Sequence, residues 1–409
     1  MNTNFKKLAA ALSAAAIACT FTACMDNGSL MTVDGAEIRN GVYISYLMNF
    51  TNTAQSRVSE ESSANSTDST DSESETDFWS AAIDGKDVTE WIKENTLKSI
   101  RGHVGVQRLC EKYGISLTDE ELTVINTECD KEWESSDIYT KYIYGFDTVG
   151  DMNEARGVSI DSYKEIVRVN MLRNKLFLHY YDTDGEYAVP DDEYNKFIDE
   201  NYAAIRIMSL PYKDYMGNEL TDESEIKAIK DKAQEYTDRL NDGERYETIR
   251  YLYELANAQD EARKKASTEY SEEVAGGLSP DEYIEKAADE ATYTVPDDAS
   301  LFDMAFSKAN SSYNTEVTDF IMSLARDGKP YVFHSDEAKT SYVVVRMEMS
   351  VLENWKESNR ESILQQMRGD AFNELLEQAS ANYEVQQDNY LVNTKYTPKK
   401  VSEYVKPAY

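Results

Sequence analysis

Histidine, cysteine and proline are scarce in this chain of 409 residues, which has three His, four Cys and seven Pro. His103, His179 and His334 lie far apart, at no spacing that would bring two imidazoles to one metal, and neither a G-x-S-x-G elbow nor a P-loop occurs. No metal and no cofactor is expected. Cys19 and Cys24 fall in the N-terminal stretch, which leaves Cys110 and Cys129, and without a C-x-x-C pair thiol exchange has no footing. Those two cysteines fall on predicted helices at unequal distances from the intervening turn, so buried free thiols are expected. Basic residues are also few: 42 Lys and Arg face 76 Asp and Glu, a formal charge of −34 that repels nucleic acid and anionic lipid. After the first two dozen residues no apolar run is long enough to span a bilayer.

What is present begins with those first residues. Lys6 and Lys7 form a positive n-region, Leu8 to Thr22 an apolar stretch of small side chains, and Ala23 precedes Cys24. The pattern reads as a secretory signal over residues 1–23, and its removal takes the formal charge from −34 to −36. Phe21-Thr22-Ala23-Cys24 resembles a bacterial lipobox. That resemblance implies lipidation of Cys24 and a protein held by lipid at the extracytoplasmic face of the bacterial cell membrane.

From Met31 to Gly35 the pattern is extended, and a helix from Glu37 carries Val42, Tyr43, Tyr46, Leu47 and Phe50; residues 24–50 are read as the anchor and the start of a helical domain. Residues 51–77 are rich in Ser, Thr, Glu and Asp with almost no large apolar side chain after Val58, and read as a disordered insert. Asp87 can cap a helix from Val88 to Tyr113 that Gly114 ends, Thr118 and Glu121 make a capping box, and Ser159 caps a helix running to about Tyr181. Asp182 to Glu186 lacks the further ligands of a calcium loop and reads as a turn. Pro190, followed by Asp191, Asp192 and Glu193, opens a short helix to Glu200 that feeds an apolar strand from Ile205 to Leu210.

The phrase EKYGISLTDEEL and the passage GEYAVPDDEYNKFIDENYAAIRIMSLPY resemble the helical turn and the domain junction of the SurA/PrsA group of extracytoplasmic foldases. The resemblance implies an α+β, mostly helical fold: a SurA-like helical chaperone domain (78–200), an inserted parvulin-like α/β module (201–350), a C-terminal helix (351–385) that completes the helical domain, and a mostly extended tail (386–409). Within the module, helices from about Glu223 to Asn241 and from near Arg245 follow the strand. Gly276-Gly277 echoes the family's glycine pair, Ala291 to Val295 reads as a strand, and Leu301 to Phe306 matches the family's short helix. Tyr331 to His334 and Ser341 to Met347 form a hairpin, and a helix begins at Leu352 or Glu353.

Parvulins carry a histidine in their first strand and another in their last, and the resemblance places these on Arg206 and Val343. Both imidazoles are missing, so the module is expected to be degenerate as a peptidyl-prolyl isomerase. Met208, Phe302, Phe306 and Tyr342 are the expected walls of a proline pocket, with core packing as the alternative for all four. Tyr139, Tyr142, Tyr144 and Phe146 are the candidate surface for unfolded or nascent exported polypeptides. The implied function is a membrane-anchored foldase-like chaperone, with a homodimer left open. Two other readings also stay open: a weakly active parvulin-type isomerase, and a surface lipoprotein with a structural or adhesion role.

Overall fold

The computed structural model describes residues 28–65 and 78–405. The proposed leader, Cys24 and the rest of the acidic stretch, 66–77, lie outside the described residues. The chain forms two compact units, one from the residues up to Ala188 together with Arg368 to the end, the other from Val189 to Met367. The fold is α+β and mostly helical.

The first unit opens with a hairpin, β1 (Ser29–Val33) and β2 (Ala36–Arg39), paired Val33 to Ala36. Asp34 and Gly35 both take left-handed backbone angles (φ 48° and 75°), the geometry that lets a two-residue loop follow the strands' own twist. The same Asp-Gly device returns at Asp84 and Gly85 (φ 53° and 76°) between β3 (Ala82–Ile83) and β4 (Lys86–Asp87). On its other edge β1 receives the strand Val385–Gln387, with Val33 opposite Val385.

Helices with clear capping signals make up much of the rest of this unit. In Val88–Tyr113 the Asp87 carboxylate accepts from the backbone N–H groups of Thr89 and Glu90, and Gly114 ends the helix in the left-handed region. Between Tyr113 and the helix Asp119–Trp133 stands the expected capping box: Glu121 N–H donates to Thr118 Oγ1 (3.2 Å) and Thr118 N–H to Glu121 Oε2 (2.7 Å). Ser159 caps Ile160–Tyr181. Leu47, with Ile92, Ile100 and Val104 of Val88–Tyr113, belongs to one core, on which Ile166 of Ile160–Tyr181 packs. Cys110 and Cys129 are free and buried, and burial pushes the Cys110 thiol up to about 11.

Several sequence expectations need correction. The first helix does not stop at Phe50 but runs Asn40–Asn65. Thr51 and Ala54 are buried and Val58 packs on the core, so the apolar stripe continues in small side chains through a stretch whose composition looks featureless. The expected extended tail contains a turn, Leu391–Lys395, and a short helix, Pro398–Ser402, with Thr397 as cap and Pro398 at its first position. Val392, Tyr396 and Val401 belong to the main core, which is what fixes this segment.

The second unit is built on a four-stranded antiparallel sheet in the order β6-β5-β8-β7, with β5 Tyr202–Pro211, β6 Met304–Ser307, β7 Pro330–Ser335 and β8 Thr340–Met347. Its lower bound lies at Val189 and its upper bound inside the helix Arg360–Ser380, rather than at residues 201 and 350. The reason is local: Tyr194, on the feeder helix Asp191–Asn201, donates its hydroxyl proton to Lys356 O (3.0 Å), and the Tyr202 hydroxyl bonds the Gln366 amide (2.7 Å).

Residues 291–296 are irregular; the short helix expected over Leu301 to Phe306 is a single turn, Ala299–Phe302, and β6, the second strand of the sheet, follows it. In β6, Met304 and Phe306 stand opposite Ile205 and Ala203 and so share their face of the sheet. The charged surplus forms a helical layer, with Pro280–Asp289 packed back on Tyr246–Glu269 and Arg263 paired to Glu285 (3.1 Å).

The Lys175 ammonium (2.7 Å) and the Thr118 backbone N–H hold the Glu121 carboxyl below the usual glutamate range. A carboxyl whose pKa is lower folded than unfolded stabilises the fold above its unfolded value, and that contribution disappears as pH falls through the folded one. Glu121→Gln is therefore expected to melt below the parent at neutral pH. The gap should close as pH is lowered past the depressed pKa, as read by thermal melts across acid pH.

Candidate functional site

Two places carry the residues singled out above: the central strands of the inserted sheet, and a loop of the helical unit. In the sheet, pairing of Arg206 with Val345 and of Met208 with Val343 puts Arg206, Met208 and Val343 on one face. Ala203, Ile205 and Ile207 point to the other, where they join Phe306, Tyr342 and Val344 against Val317 and Ile321 of the helix Thr315–Ser323. The expected proline pocket is thereby divided. Met208 and Phe302 are separated by the sheet from Phe306 and Tyr342, so the four cannot wall one cavity. Phe302 instead touches Tyr246 (5.9 Å between ring centroids) and carries Arg250 over its ring (4.9 Å).

The two positions expected to be histidines in a parvulin are closed. Val343 is buried. Arg206 pairs with Asp303 (2.5 Å) and its guanidinium covers the Tyr246 ring at 5.1 Å. Asp303 keeps only 5% of its side chain exposed and Arg206 19%, so both charges are mostly withdrawn from water and each satisfies the other. Neither is free to move a proton. Asp303 and Tyr246 were missed in the sequence, although one signal existed: an arginine inside the run Ala203 to Met208 has to bring an acid with it.

Arg250 and Tyr253 finish the edge of β5. Beyond Ile205 this strand has no β6 partner, and there Ile207 O accepts from Arg250 (2.9 Å) and Ser209 O from the Tyr253 hydroxyl (3.0 Å). Nearby, Ser341 Oγ lies 2.8 Å from His334 Nδ1 and 3.0 Å from the Tyr212 hydroxyl. The grouping superficially suits a nucleophile and base. Ser341 is fully buried, however, and no substrate carbonyl can reach its oxygen. Burial and the neighbouring Lys230 hold the His334 imidazole below its ordinary range.

The loop between Trp133 and Val149 is ordered by its own hydrogen bonds. Val149 N–H donates to Ser135 O (2.9 Å) across its neck, Thr140 N–H to the Asp137 carboxylate (2.7 Å), and Phe146 N–H to Thr140 O (2.9 Å). With Thr140 buried, the single turn Tyr139–Ile143 turns Ile138, Tyr139 and Tyr142 outward, and these are 68%, 67% and 66% exposed. Tyr144 and Phe146 are only partly exposed; Arg156 lies over the Tyr144 ring at 5.6 Å. The expected aromatic set thus splits into two presented tyrosines and two half-buried residues, Tyr144 and Phe146, and Ile138 joins the presented group.

Removing Asp303 leaves Arg206 without its counter-charge in a mostly dry setting. Asp303→Ala is expected to cost about 3 kcal/mol, measured as a lower urea midpoint. At the foot of the aromatic loop Gly150 backs directly on the Trp133 ring, where a Cβ would overlap it. Gly150→Ala should displace that ring, cost roughly 1–3 kcal/mol and shift the tryptophan emission.

No protein-family model matches the sequence, and no curated protein matches it. Among solved structures, the chain is similar to the foldase protein PrsA from Streptococcus pneumoniae at 14% identity and a TM-score of 0.30, over 79% of this chain and 98% of that one. It is also similar to the foldase protein PrsA from Lactococcus lactis, at 13% identity and a TM-score of 0.30, over 93% and 100% of the two chains. For PrsA from Bacillus subtilis the identity is 13% and the TM-score 0.27, over 78% and 95%. At such low structural overlap these likenesses transfer no function.

Proposed function

We propose that this protein is a membrane-anchored, extracytoplasmic foldase-like chaperone that binds unfolded exported polypeptides, with a degenerate isomerase module. One observation carries the reading: Ile138, Tyr139 and Tyr142 are held out together on an ordered loop of a strongly acidic chain. Large apolar side chains grouped in the open mark contact surfaces, and tyrosine offers wide contact with little side-chain entropy to lose. Because the loop is braced before any partner arrives, binding would not have to order it first. The acidic surround favours clients with basic segments and holds copies of the chain apart. Lipid attachment rests on Cys24 and the apolar leader in the sequence.

The isomerase reading is weaker. Rotation about a prolyl bond needs little acid–base chemistry, but it does need an apolar pocket, and the four expected wall residues lie on two faces of the sheet. No acceleration of a proline-peptide isomerisation assay is expected; a large one abolished by Met208→Ala would reinstate the enzyme.

The chaperone reading is tested by light scattering from an aggregating unfolded client at stoichiometric protein. The parent should suppress scattering. Combined Ile138→Ser, Tyr139→Ser and Tyr142→Ser should need at least tenfold more protein for half-suppression, since anchoring aromatics at interfaces are worth about 1–2 kcal/mol each. A variant as effective as the parent would remove the loop as the contact surface, and a parent without effect would end the chaperone reading.

A further inference from the structure

A second candidate site lies away from the aromatic loop, among the helices of the first unit. A cleft of about 390 Å³ is lined by Tyr46, His103, Asn170 and Arg173, with Asn373 from the C-terminal helix and Phe50 at its side. Its volume falls within the roughly 300–1,000 Å³ of small-molecule clefts. We propose that this cleft binds a carboxylate carried on an apolar body, with Arg173 as the anchor.

The argument begins with charge. Arg173 makes no ion pair among the described residues, although this chain has 76 acids for 42 basic residues. Its guanidinium lies over the Phe372 ring at 5.1 Å and donates one hydrogen bond, to the Asn373 side-chain oxygen. A guanidinium has five donors, so most remain for a ligand. Burial pulls the Arg173 pKa down, and a partly buried cation of this kind is stabilised by whatever anion reaches it.

The rest of the cleft sets the class of anion. Lys98, the other cation of the lining, is already taken by Glu377 at 2.7 Å. One uncompensated positive charge beside Glu377 suits a single carboxylate and disfavours a doubly charged phosphate. Val106, Val169 and Leu376 give the cleft an apolar floor, while the amides of Asn170 and Asn373 flank the guanidinium. Tyr46 remains a neutral phenol, its pKa pushed up to about 12 by burial, and its hydroxyl hydrogen-bonds His103 Nδ1 (3.1 Å), so it adds no competing charge. Planar guanidinium and planar carboxylate pair through two parallel N–H···O bonds, and the apolar floor takes what the carboxylate is attached to. A free organic acid and the C-terminus of a polypeptide share this chemistry. The proposal rests on Arg173 and not on the aromatic loop, so loss of client binding in the loop variants leaves it standing.

Isothermal titration of the full chain tests it with two pairs of probes: phenylacetate against phenylacetamide, and acetyl-Ala-Ala-Leu with a free carboxylate against its C-terminal amide. At least one acid should bind, with its amide at least tenfold weaker. Binding of phenylacetate alone identifies a small acid as the source, and binding of the peptide acid alone a chain terminus; either supports the proposal. Arg173→Gln should lose at least tenfold in affinity. Asn170→Asp, a change at an exposed position one helical turn before Arg173, should do the same by supplying the missing carboxylate in cis, and it should melt no lower than the parent. That second variant keeps the test decisive if Arg173→Gln folds poorly. Equal binding of acid and amide, undiminished binding by Asn170→Asp, or no binding of either acid at millimolar concentration would overturn the proposal.

Discussion

The pairing of Val385–Gln387 with β1 is the constraint on which the first unit depends. It brings the end of the chain to the strand that begins the described structure, and the core on that sheet is then filled from both sides, Val42 and Leu47 from one end, Val392, Tyr396 and Val401 from the other. Neither end can bury its stripe alone. The intervening 189–367 must be made before the core can close, yet the entropic cost of so long a loop grows only slowly, by about 0.6 kcal/mol for each doubling of length. An inserted body of any size is thus tolerable, provided that its own termini leave near one another. The same closure explains why Gly105 has no side chain: its missing Cβ would come within 3.2 Å of Ser380 Cβ on the returning helix.

In the second unit, charge is what fixes the sheet. Each face carries one largely buried arginine, and each is answered differently. Arg206 meets the carboxylate of Asp303, next to β6. Arg346, opposite Ile205 and therefore on the other face, donates to the carbonyls of Met322 and Leu324 (2.9 Å to the latter) at the C-terminal end of the helix Thr315–Ser323. Carbonyls left over at a helix end carry partial negative charge, so this guanidinium caps the helix as well as filling the interior. A slip of one residue in register would turn both charges to the wrong face. Buried arginines therefore select a register among sheets that the Val343–Val345 run by itself would barely distinguish.

How far the sequence discloses this depends on the range of the interaction concerned. Caps are local: Asp87, Thr118 with Glu121, and Ser159 bond within three residues of themselves, and their elements begin where those side chains require. The long apolar strand β5 and the Ser341–Met347 strand are legible for the same reason, since period and composition agree over many residues. Reading fails where a distant partner decides. Thr51, Ala54 and Val58 become a helical stripe only because a core lies beside them, and the tail beyond Tyr390 looks unstructured until Val392, Tyr396 and Val401 are seen to enter that same core. Met208 and Phe306 seem alike as apolar strand residues, and only the pairing of β5 with both neighbours shows that they face opposite ways. Asp303 is the sharpest case, because its meaning comes entirely from an arginine far back in sequence.

The exposed loop and the acid-rich surface belong to one balance. Ile138, Tyr139 and Tyr142 would be a route to self-association in a neutral protein, because two copies could bury these side chains against each other. At a formal charge of −34 that encounter is opposed over a distance of about a Debye length, roughly 8–10 Å at physiological salt, before the apolar groups touch. A partner with little negative charge meets no such barrier. The loop's internal hydrogen bonds matter for the same reason: with Thr140 buried and Val149 tied to Ser135, the side chains cannot fold back to hide themselves. Charge thus decides who may approach, and the braced turn ensures that an apolar surface is waiting when someone does.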